Sequence, residues 1–218
     1  MSIVTMIERL SRLLRQILQV SILLPFATHA SETFTSTQTV AFKDFHDPGY
    51  LLVEQDSGEA FKLWFHYEFI PYEDVLTWER GETLKLGIDP TRGSGVFRVA
   101  DAKFYKVFFS DEHDPIDSVE DRCLEANGST MGIAQCYSET YRYVSADISY
   151  LIRDLGTRRN LGYQTNNFAS SMKTARQAYA ALFSAVWDQR GGSVGTINQM
   201  TTMLRLMHAE KGALEGLY

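Results

Sequence analysis

The hydrophobic periodicity of the chain changes near Asp117. Before this residue, apolar side chains alternate with polar ones, as on a strand with one buried face. After it, apolar side chains recur at steps of three and four, as on one face of a helix. The chain is therefore predicted to be α+β, with an N-terminal antiparallel β-sheet or small barrel over residues 31–116 and a helical bundle over residues 117–218.

Five segments carry strand signals, with turns rich in Gly, Pro or Asp between them. They are residues 50–55, 61–70, 83–88, 95–100 and 103–109. In the second segment the aromatic side chains of Phe61, Phe65 and Tyr67 share one face, and Trp64 lies on the other. Residues 31–39 are rich in Ser and Thr and are predicted to be a flexible lead-in.

Three long amphipathic helices are predicted in the second half. Their apolar stripes are Tyr137, Tyr141, Val144, Ile148, Leu151 and Leu155; Phe168, Met172, Ala175, Tyr179, Leu182 and Val186; and Ile197, Met200, Leu204 and Met207. Gly156 and the polar Thr157–Asn160 stretch are predicted to end the first helix, and Gly191-Gly192-Ser193 to separate the other two. A shorter helix around residues 119–126 is predicted to precede them.

Residues 1–30 are predicted to be a cleaved signal peptide. Arg9, Arg12 and Arg15 precede a short apolar run, which ends at the small residue Ala30. The run has about half of the roughly 20 apolar residues that a spanning helix needs. Periplasmic or secreted localisation follows, with no stable membrane span after cleavage; an uncleaved anchor or a buried N-terminal helix is the alternative.

Acidic residues are concentrated in the first half of the predicted mature chain. Residues 31–122 contain 19 acidic and 9 basic side chains, whereas residues 123–218 contain 7 and 9. Such a surface repels nucleic acid and attracts cationic partners, although an excess of charge can also serve solubility alone.

Cys123 and Cys136 are the two cysteines of the chain. In an oxidising compartment such a pair is predicted to form a disulfide, which would link the short helix to the first long one. A zinc site is not predicted, because further soft ligands are missing nearby.

Catalytic motifs are absent from the sequence, so the chain is predicted not to be an enzyme and to use no cofactor. The run Asp111-Glu112-His113-Asp114 could hold a hard cation through its oxygens, but it lacks the spacing of an EF-hand loop, and a solvated turn is favoured. Trp64, with Trp78 and Tyr72, is the best candidate for an exposed binding aromatic; the alternative is that a helix covers Trp64.

Residues 117–218 resemble the LprI-like lysozyme inhibitor domain. The resemblance rests on Asp121-Arg122-Cys123, Ala126, Thr130, Cys136, Asp147, Ala175-Arg176-Gln177-Ala178-Tyr179 and Gly191-Gly192-Ser193. The chain departs from the family pattern after Tyr179, where Leu182-Phe183-Ser184 replaces a Tyr-Arg-Asp triplet. The family's second cysteine pair is also missing, with Met200 and Met203 near the expected position.

The resemblance implies an envelope binding protein that occludes a lysozyme or another cationic envelope hydrolase. Together with the charge asymmetry, it places the predicted contact at Asp111, Glu112, Asp114 and Asp117, with Trp64 as a further partner-binding residue. An immunity or accessory protein for a secreted effector is one alternative. A hydrolase of unknown type is another, and a shared cleft containing His66, His113 and acidic groups would favour it.

Overall fold

The computed structural model describes residues 34–46, 49–187 and 192–218. These residues belong to one compact unit, Thr33–Tyr218. The predicted signal peptide and Gly191 of the predicted helix break lie outside the described residues. The predicted boundary at residue 117 stays a prediction, although the change from strands to helices occurs close to it.

Six antiparallel strands form one sheet in the order β3-β2-β1-β4-β5-β6. The strands are β1 (Thr35–His46), β2 (Tyr50–Glu54), β3 (Ala60–Trp64), β4 (Thr83–Asp89), β5 (Gly93–Arg98) and β6 (Lys103–Tyr105). This confirms the predicted antiparallel sheet and the hairpin between β2 and β3.

The predicted flexible lead-in was wrong for residues 35–39, because β1 begins at Thr35 and is the longest strand of the sheet; residues 31–33 lie outside the described residues. Its first five residues are all polar, so no alternation marks them, and burial begins only at Val40 and Phe42. The first half of β1 pairs with β4 and the second half with β2, so backbone hydrogen bonds hold the strand without an apolar start.

The sheet curls until its first edge meets the chain that follows β6. Trp64 and Phe108 exchange two backbone hydrogen bonds, with N···O distances of 3.0 and 2.6 Å. The inner face of the curled sheet contains the core of the β-rich half. The core residues on the strands include Leu51, Val53, Leu63, Leu84, Leu86 and Val96.

Five α-helices and one 3-10 helix are described. They are α1 (Tyr72–Val75), the 3-10 helix Asp111–His113, α2 (Pro115–Ala126), α3 (Thr130–Arg158), α4 (Gly162–Trp187) and α5 (Gly192–Glu215). The short helix and the three long helices of the prediction are confirmed. Helix α3 ends at Arg158, within the stretch predicted to end it.

Helix α3 joins the two halves of the molecule. It packs on β5, on the short helix α2 and on the other two long helices, and Val144, Ile148 and Leu151 of its predicted stripe are buried in the same core as the strands. The Cys123–Cys136 disulfide links α2 to α3, as predicted.

Helix α4 has a less buried stripe than its sequence predicts. Leu182 is 64% exposed, and Phe168 and Tyr179 are only partly buried. Among the described residues the helix packs mainly on α3 and α5, and part of its apolar face remains in solvent. The prediction that Leu182 belongs to the core was therefore wrong.

Candidate binding site

The outer face of β3 presents Trp64 to solvent. Phe61 and Leu63 point inward, whereas Ala60, Lys62 and Trp64 are exposed, as the alternation of a strand requires. Trp64 is 48% exposed, so the alternative in which a helix covers it does not hold. The two hydrogen bonds to Phe108 fix the backbone of Trp64, which leaves an exposed indole on a rigid edge.

Tyr50 packs against this indole, and Tyr67, which lines the same pocket as Trp64, packs against Tyr72. We call these four side chains the aromatic surface: Tyr50, Trp64, Tyr67 and Tyr72. The ring centroids of Tyr50 and Trp64 lie 5.5 Å apart, and those of Tyr67 and Tyr72 lie 5.9 Å apart, both pairs edge to face. Trp78, predicted to join them, is buried against Phe42 and Tyr105 instead.

A pocket of about 310 Å³ opens between the two halves of the aromatic surface. We call it the Tyr218 pocket. Its lining residues are Gly49, Trp64, Phe65, His66, Tyr67, Phe108, Glu215 and Tyr218. Five of these eight residues carry Phe, Tyr or Trp rings, and Glu215 supplies the one carboxylate of the lining.

Local contacts hold the walls of the pocket in place. Gly49 has a φ of +105°, which suits glycine, and its carbonyl accepts a hydrogen bond from the Phe65 amide at 2.9 Å. The Tyr218 ring packs against Phe108 at 5.8 Å, and its hydroxyl donates to Asp154 at 3.0 Å. Burial and the Asp154 carboxylate raise the pKa of Tyr218, so its hydroxyl stays protonated.

Glu215 connects the pocket to a group of ionisable side chains between the sheet and the helices. We call this group the buried charge cluster: Lys106, Asp114, Asp147, Lys211 and Glu215. Lys106 pairs with Asp147, and Lys211 pairs with Asp114 and lies 3.2 Å from the second oxygen of Asp147. Glu215 lies 3.8 Å from Lys211 at the edge of the cluster.

Asp147 is the centre of this cluster. Its carboxylate accepts hydrogen bonds from the Ser94 amide at 3.0 Å and from the Ser94 hydroxyl at 2.8 Å. Gly93 allows this approach, because a Cβ there would overlap the carboxylate and the φ of +74° suits glycine. Burial would raise the pKa of Asp147, but the ammonium groups of Lys106 and Lys211 outweigh it and lower the pKa.

The pKa of Glu215 is shifted in the direction opposite to that of Asp147. Burial raises its pKa to about 7, against an ordinary value of 4.5, although Lys211 and Lys106 pull the pKa down. It is also the last residue of α5, where a carboxylate opposes the helix dipole. A perturbed carboxylate in the wall of a pocket is a common mark of a functional site.

The acidic residues of the predicted contact differ in their exposure to solvent. Asp111 and Glu112 are exposed on the 3-10 helix, which we call the acidic turn. Asp114 is buried, because it caps α2 by accepting a hydrogen bond from the Ile116 amide at 2.9 Å and pairs with Lys211. Its carboxylate therefore cannot meet a partner directly, and we remove it from the predicted contact.

Asp117 occupies an intermediate position. Its carboxylate lies 4.0 Å from the His208 ring nitrogen and is partly exposed. Burial, together with the charge of Asp114, raises its pKa to about 6. Asp117 thus carries most of its charge at neutral pH but loses it under mildly acidic conditions.

The acidic turn and the aromatic surface flank the same strand. His113 of the turn stacks at 3.9 Å on Phe61, which points to the inner face of β3, and Trp64 lies three residues later, about 10 Å along the strand, on the outer face. The Tyr218 pocket contains His66 but not His113, so the two histidines do not share this cleft. The Nδ1 atom of His66 accepts a hydrogen bond from the Glu68 amide at 3.2 Å.

Sequence reasoning missed Glu215, Tyr218, Lys106 and Lys211. A signal for Lys211 was present, because it follows the apolar stripe of α5 at Leu204 and Met207 by a helical step of four. Asp147 likewise falls beside Val144 and Ile148 in the stripe of α3. Opposite charges in two apolar stripes indicate a buried ion pair.

Comparisons with protein-family models, with curated proteins and with solved structures find no match to this chain. The resemblance of residues 117–218 to the LprI-like domain stays a prediction. Within residues 34–46, 49–187 and 192–218, no helix has the length and apolar character needed to cross a membrane. The same residues contain no group of three or more His, Cys, Asp or Glu side chains arranged to hold a metal ion.

Proposed function

We propose that this chain is an exported binding protein of the bacterial envelope that occludes a cationic, lysozyme-like protein and performs no catalysis. The observation that carries the proposal is the aromatic surface around Trp64. Tryptophan and tyrosine supply a large share of the binding energy in protein interfaces, because they bury much area with few rotatable bonds. Here Trp64 lies on a backbone-paired edge that needs no rearrangement before contact.

The charge of the neighbouring surface supports a cationic partner. Asp111 and Glu112 are exposed beside the strand that carries Trp64. Exposed carboxylates attract a basic protein over several ångströms and orient it during encounter, whereas buried aromatic contacts keep it bound. The proposed contact therefore combines the acidic turn for association with the aromatic surface for retention.

Two other functions compete with this proposal. An immunity or accessory protein would use the same surface for a secreted effector, so only the partner differs. A hydrolase is favoured by one observation, the presence of His66 and the perturbed Glu215 in one pocket. Release of fragments from purified peptidoglycan by the wild type, and its loss in Glu215→Gln, would support the hydrolase.

Biosensor kinetics with a cationic lysozyme test the proposal. Trp64→Ala should weaken binding about 30-fold, because hot-spot truncations cost about 2 kcal/mol or more. Tyr163→Ala is a matched control, since Tyr163 is an exposed aromatic on α4, away from the aromatic surface. Absence of binding by the wild type at micromolar concentrations would contradict a lysozyme partner and favour an effector.

The same experiment distinguishes a contact on the helical half alone. Helices α3, α4 and α5 enclose an apolar pocket of about 200 Å³, which includes the half-exposed Tyr141. If Tyr141→Ala weakens binding and Trp64→Ala does not, the contact lies on the helices, where the family resemblance lies.

A further inference from the structure

The Tyr218 pocket combines aromatic walls with one acidic side chain. The rings of Phe65 and Tyr67 stand nearly perpendicular, at 83°, with centroids 5.5 Å apart. The rings of His66 and Tyr218 are inclined at 61°, with centroids 6.1 Å apart. Ring faces that point in several directions form a box rather than a slot for one flat ligand.

The charges behind the pocket are balanced without Glu215. Lys106 and Lys211 carry two positive charges, and Asp114 and Asp147 carry two negative ones, all within direct ion pairs. An ionised Glu215 adds a third negative charge, whereas the two lysine charges are already matched by the two aspartate charges. The surplus carboxylate lies in the pocket wall, where a bound cation would compensate it.

We infer that the Tyr218 pocket binds an organic ammonium group, with Glu215 as its counter-ion and the aromatic rings as its walls. In the complex of the proposed function, on which this inference rests, the bound group is the ammonium of a lysine side chain of the partner protein. The site thus assigns a specific role to Glu215 within the broader contact around Trp64.

An ammonium fits this site better than a neutral ligand. Cations are attracted to ring faces within about 6 Å, and a desolvated carboxylate strengthens this attraction. The Tyr218 ring already interacts with one cation, since the Arg159 guanidinium lies 5.6 Å from its centroid. Arg159 is compensated by Glu68, at 3.4 Å, and so does not neutralise Glu215.

Binding should depend on pH through Glu215. The carboxyl has a pKa of about 7 and is faced by Lys211 on its own helix, Lys106 after β6, Asp147 on α3 and Asp114 before α2. If only the ionised form binds, affinity follows the ionised fraction and rises about tenfold between pH 6 and pH 8. His66 lines the same pocket, and His66→Asn is the control for a contribution from its imidazole.

NMR titration of the purified protein with n-butylammonium, a mimic of the lysine side chain, tests the inference. The indole N–H signal of Trp64, assigned with Trp64→Phe, reports binding at the pocket wall. At pH 8 we expect n-butylammonium to bind about tenfold more tightly than 1-butanol, which has a similar shape and no charge. We expect this preference to be lost in Glu215→Gln and kept in Glu125→Gln, which removes an exposed carboxylate on α2.

Several results would overturn the ammonium site. They are equal binding of the two probes, no shift of the Trp64 signal, or the full preference in a folded Glu215→Gln protein. The pH dependence of the wild type is a second measurement that needs no variant. It should survive His66→Asn, and a flat profile between pH 6 and pH 8 contradicts a role for ionised Glu215.

The lysine assignment is tested with chemically modified lysozyme. Dimethylation keeps the lysine charge, whereas acetylation removes it. Glu215→Gln should weaken binding of the dimethylated protein about tenfold and leave binding of the acetylated protein unchanged. If n-butylammonium binds but no lysozyme does, the proposed function fails and the ammonium site stands; the reverse result removes the site and keeps the function.

Discussion

Lys106 and Asp147 form an ion pair in which the side chains are 1% and 0% exposed. Lys106 follows β6, and Asp147 lies in the middle of α3, so the pair ties the sheet to the helices. Lys211 of α5 joins the pair through Asp147 and through Asp114, the cap of α2. Three helices are thereby anchored to one end of the sheet by charges rather than by apolar packing alone.

Removal of the central charge should destabilise the protein strongly. Asp147→Asn keeps the size of the side chain but leaves two buried ammonium groups with too little compensation, which costs about 3–5 kcal/mol. Urea unfolding measures this loss. The double variant Lys106→Met/Asp147→Leu is the control, because it removes a matched pair and should be more stable than the single variant. A single variant as stable as the wild type would contradict the burial of this charge.

Glu215 should make stability decrease as pH rises. The folded protein holds a proton on Glu215 up to a pKa of about 7, whereas the ordinary pKa is 4.5. Between these values the folded state binds more protons than the unfolded state, so stability falls as pH rises through this interval.

Glu215→Gln abolishes this effect and should be more stable than the wild type above pH 7, by up to about 3 kcal/mol. Near pH 4 the two proteins should have similar stability, because Glu215 is neutral in the folded wild type. Thermal melts at both pH values check this difference. Glu125→Gln, which changes an exposed residue, should show no such dependence.

Loss of the disulfide should lower thermal stability. Cys123 and Cys136 are 13 residues apart, and closing a loop of this size contributes about 3 kcal/mol in the chain-entropy model. Cys123→Ser should therefore lower the melting temperature by about 5–10 °C. Thiol titration of the folded, non-reduced protein provides the check on the bond itself, and two reactive thiols would exclude it.

Much of the fold could be predicted because periodicity reports which faces are buried. The stripe of α3 identified Val144, Ile148 and Leu151 as core, and the alternation around Trp64 placed its indole outside. Strand β1 was not predicted because its polar first half is stabilised by backbone pairing with β4, which leaves no hydrophobic signal in the sequence. The burial of Leu182 was predicted wrongly, because the sequence shows that a helix face is apolar but not whether another element covers that face.

The candidate site was less predictable, because it depends on contacts between distant parts of the chain. Trp64 and Glu215 are 151 positions apart, and only the curling of the sheet and the path of α5 bring them to one pocket. Asp114 and Asp117 looked equivalent to Asp111 in sequence. Asp114 is buried because it caps α2, and Asp117 is partly buried beside His208 of α5. Neither contact can be read from the local sequence.

Two leucines provide a direct test of the helix positions. Leu151→Asp places a charge in the fully buried core and should prevent soluble expression, because such a charge costs several kcal/mol of a stability of about 5–15 kcal/mol. Leu182→Asp places it on the exposed face of α4 and should leave the melting temperature almost unchanged. Equal effects of the two substitutions, in either direction, would contradict the described packing of α3 and α4.

The acidic turn should control how fast the partner associates. Reversal of both exposed charges, Asp111→Lys and Glu112→Lys, should slow association with a cationic lysozyme more than it speeds dissociation, because exposed charges act mainly by long-range steering. Added salt should slow the wild type in the same way. Asp121→Lys with Glu125→Lys is the matched control, since both residues are exposed on α2 and have the same charges to reverse.

If the control pair slows association as strongly as the pair in the turn, net charge alone governs the encounter. The acidic turn then has no specific role. If dissociation changes more than association, the turn belongs to the retained contact, together with Trp64. A selective, salt-sensitive decrease in the association rate is the result expected from a turn that contacts β3 at Phe61, three residues and about 10 Å along the strand from Trp64.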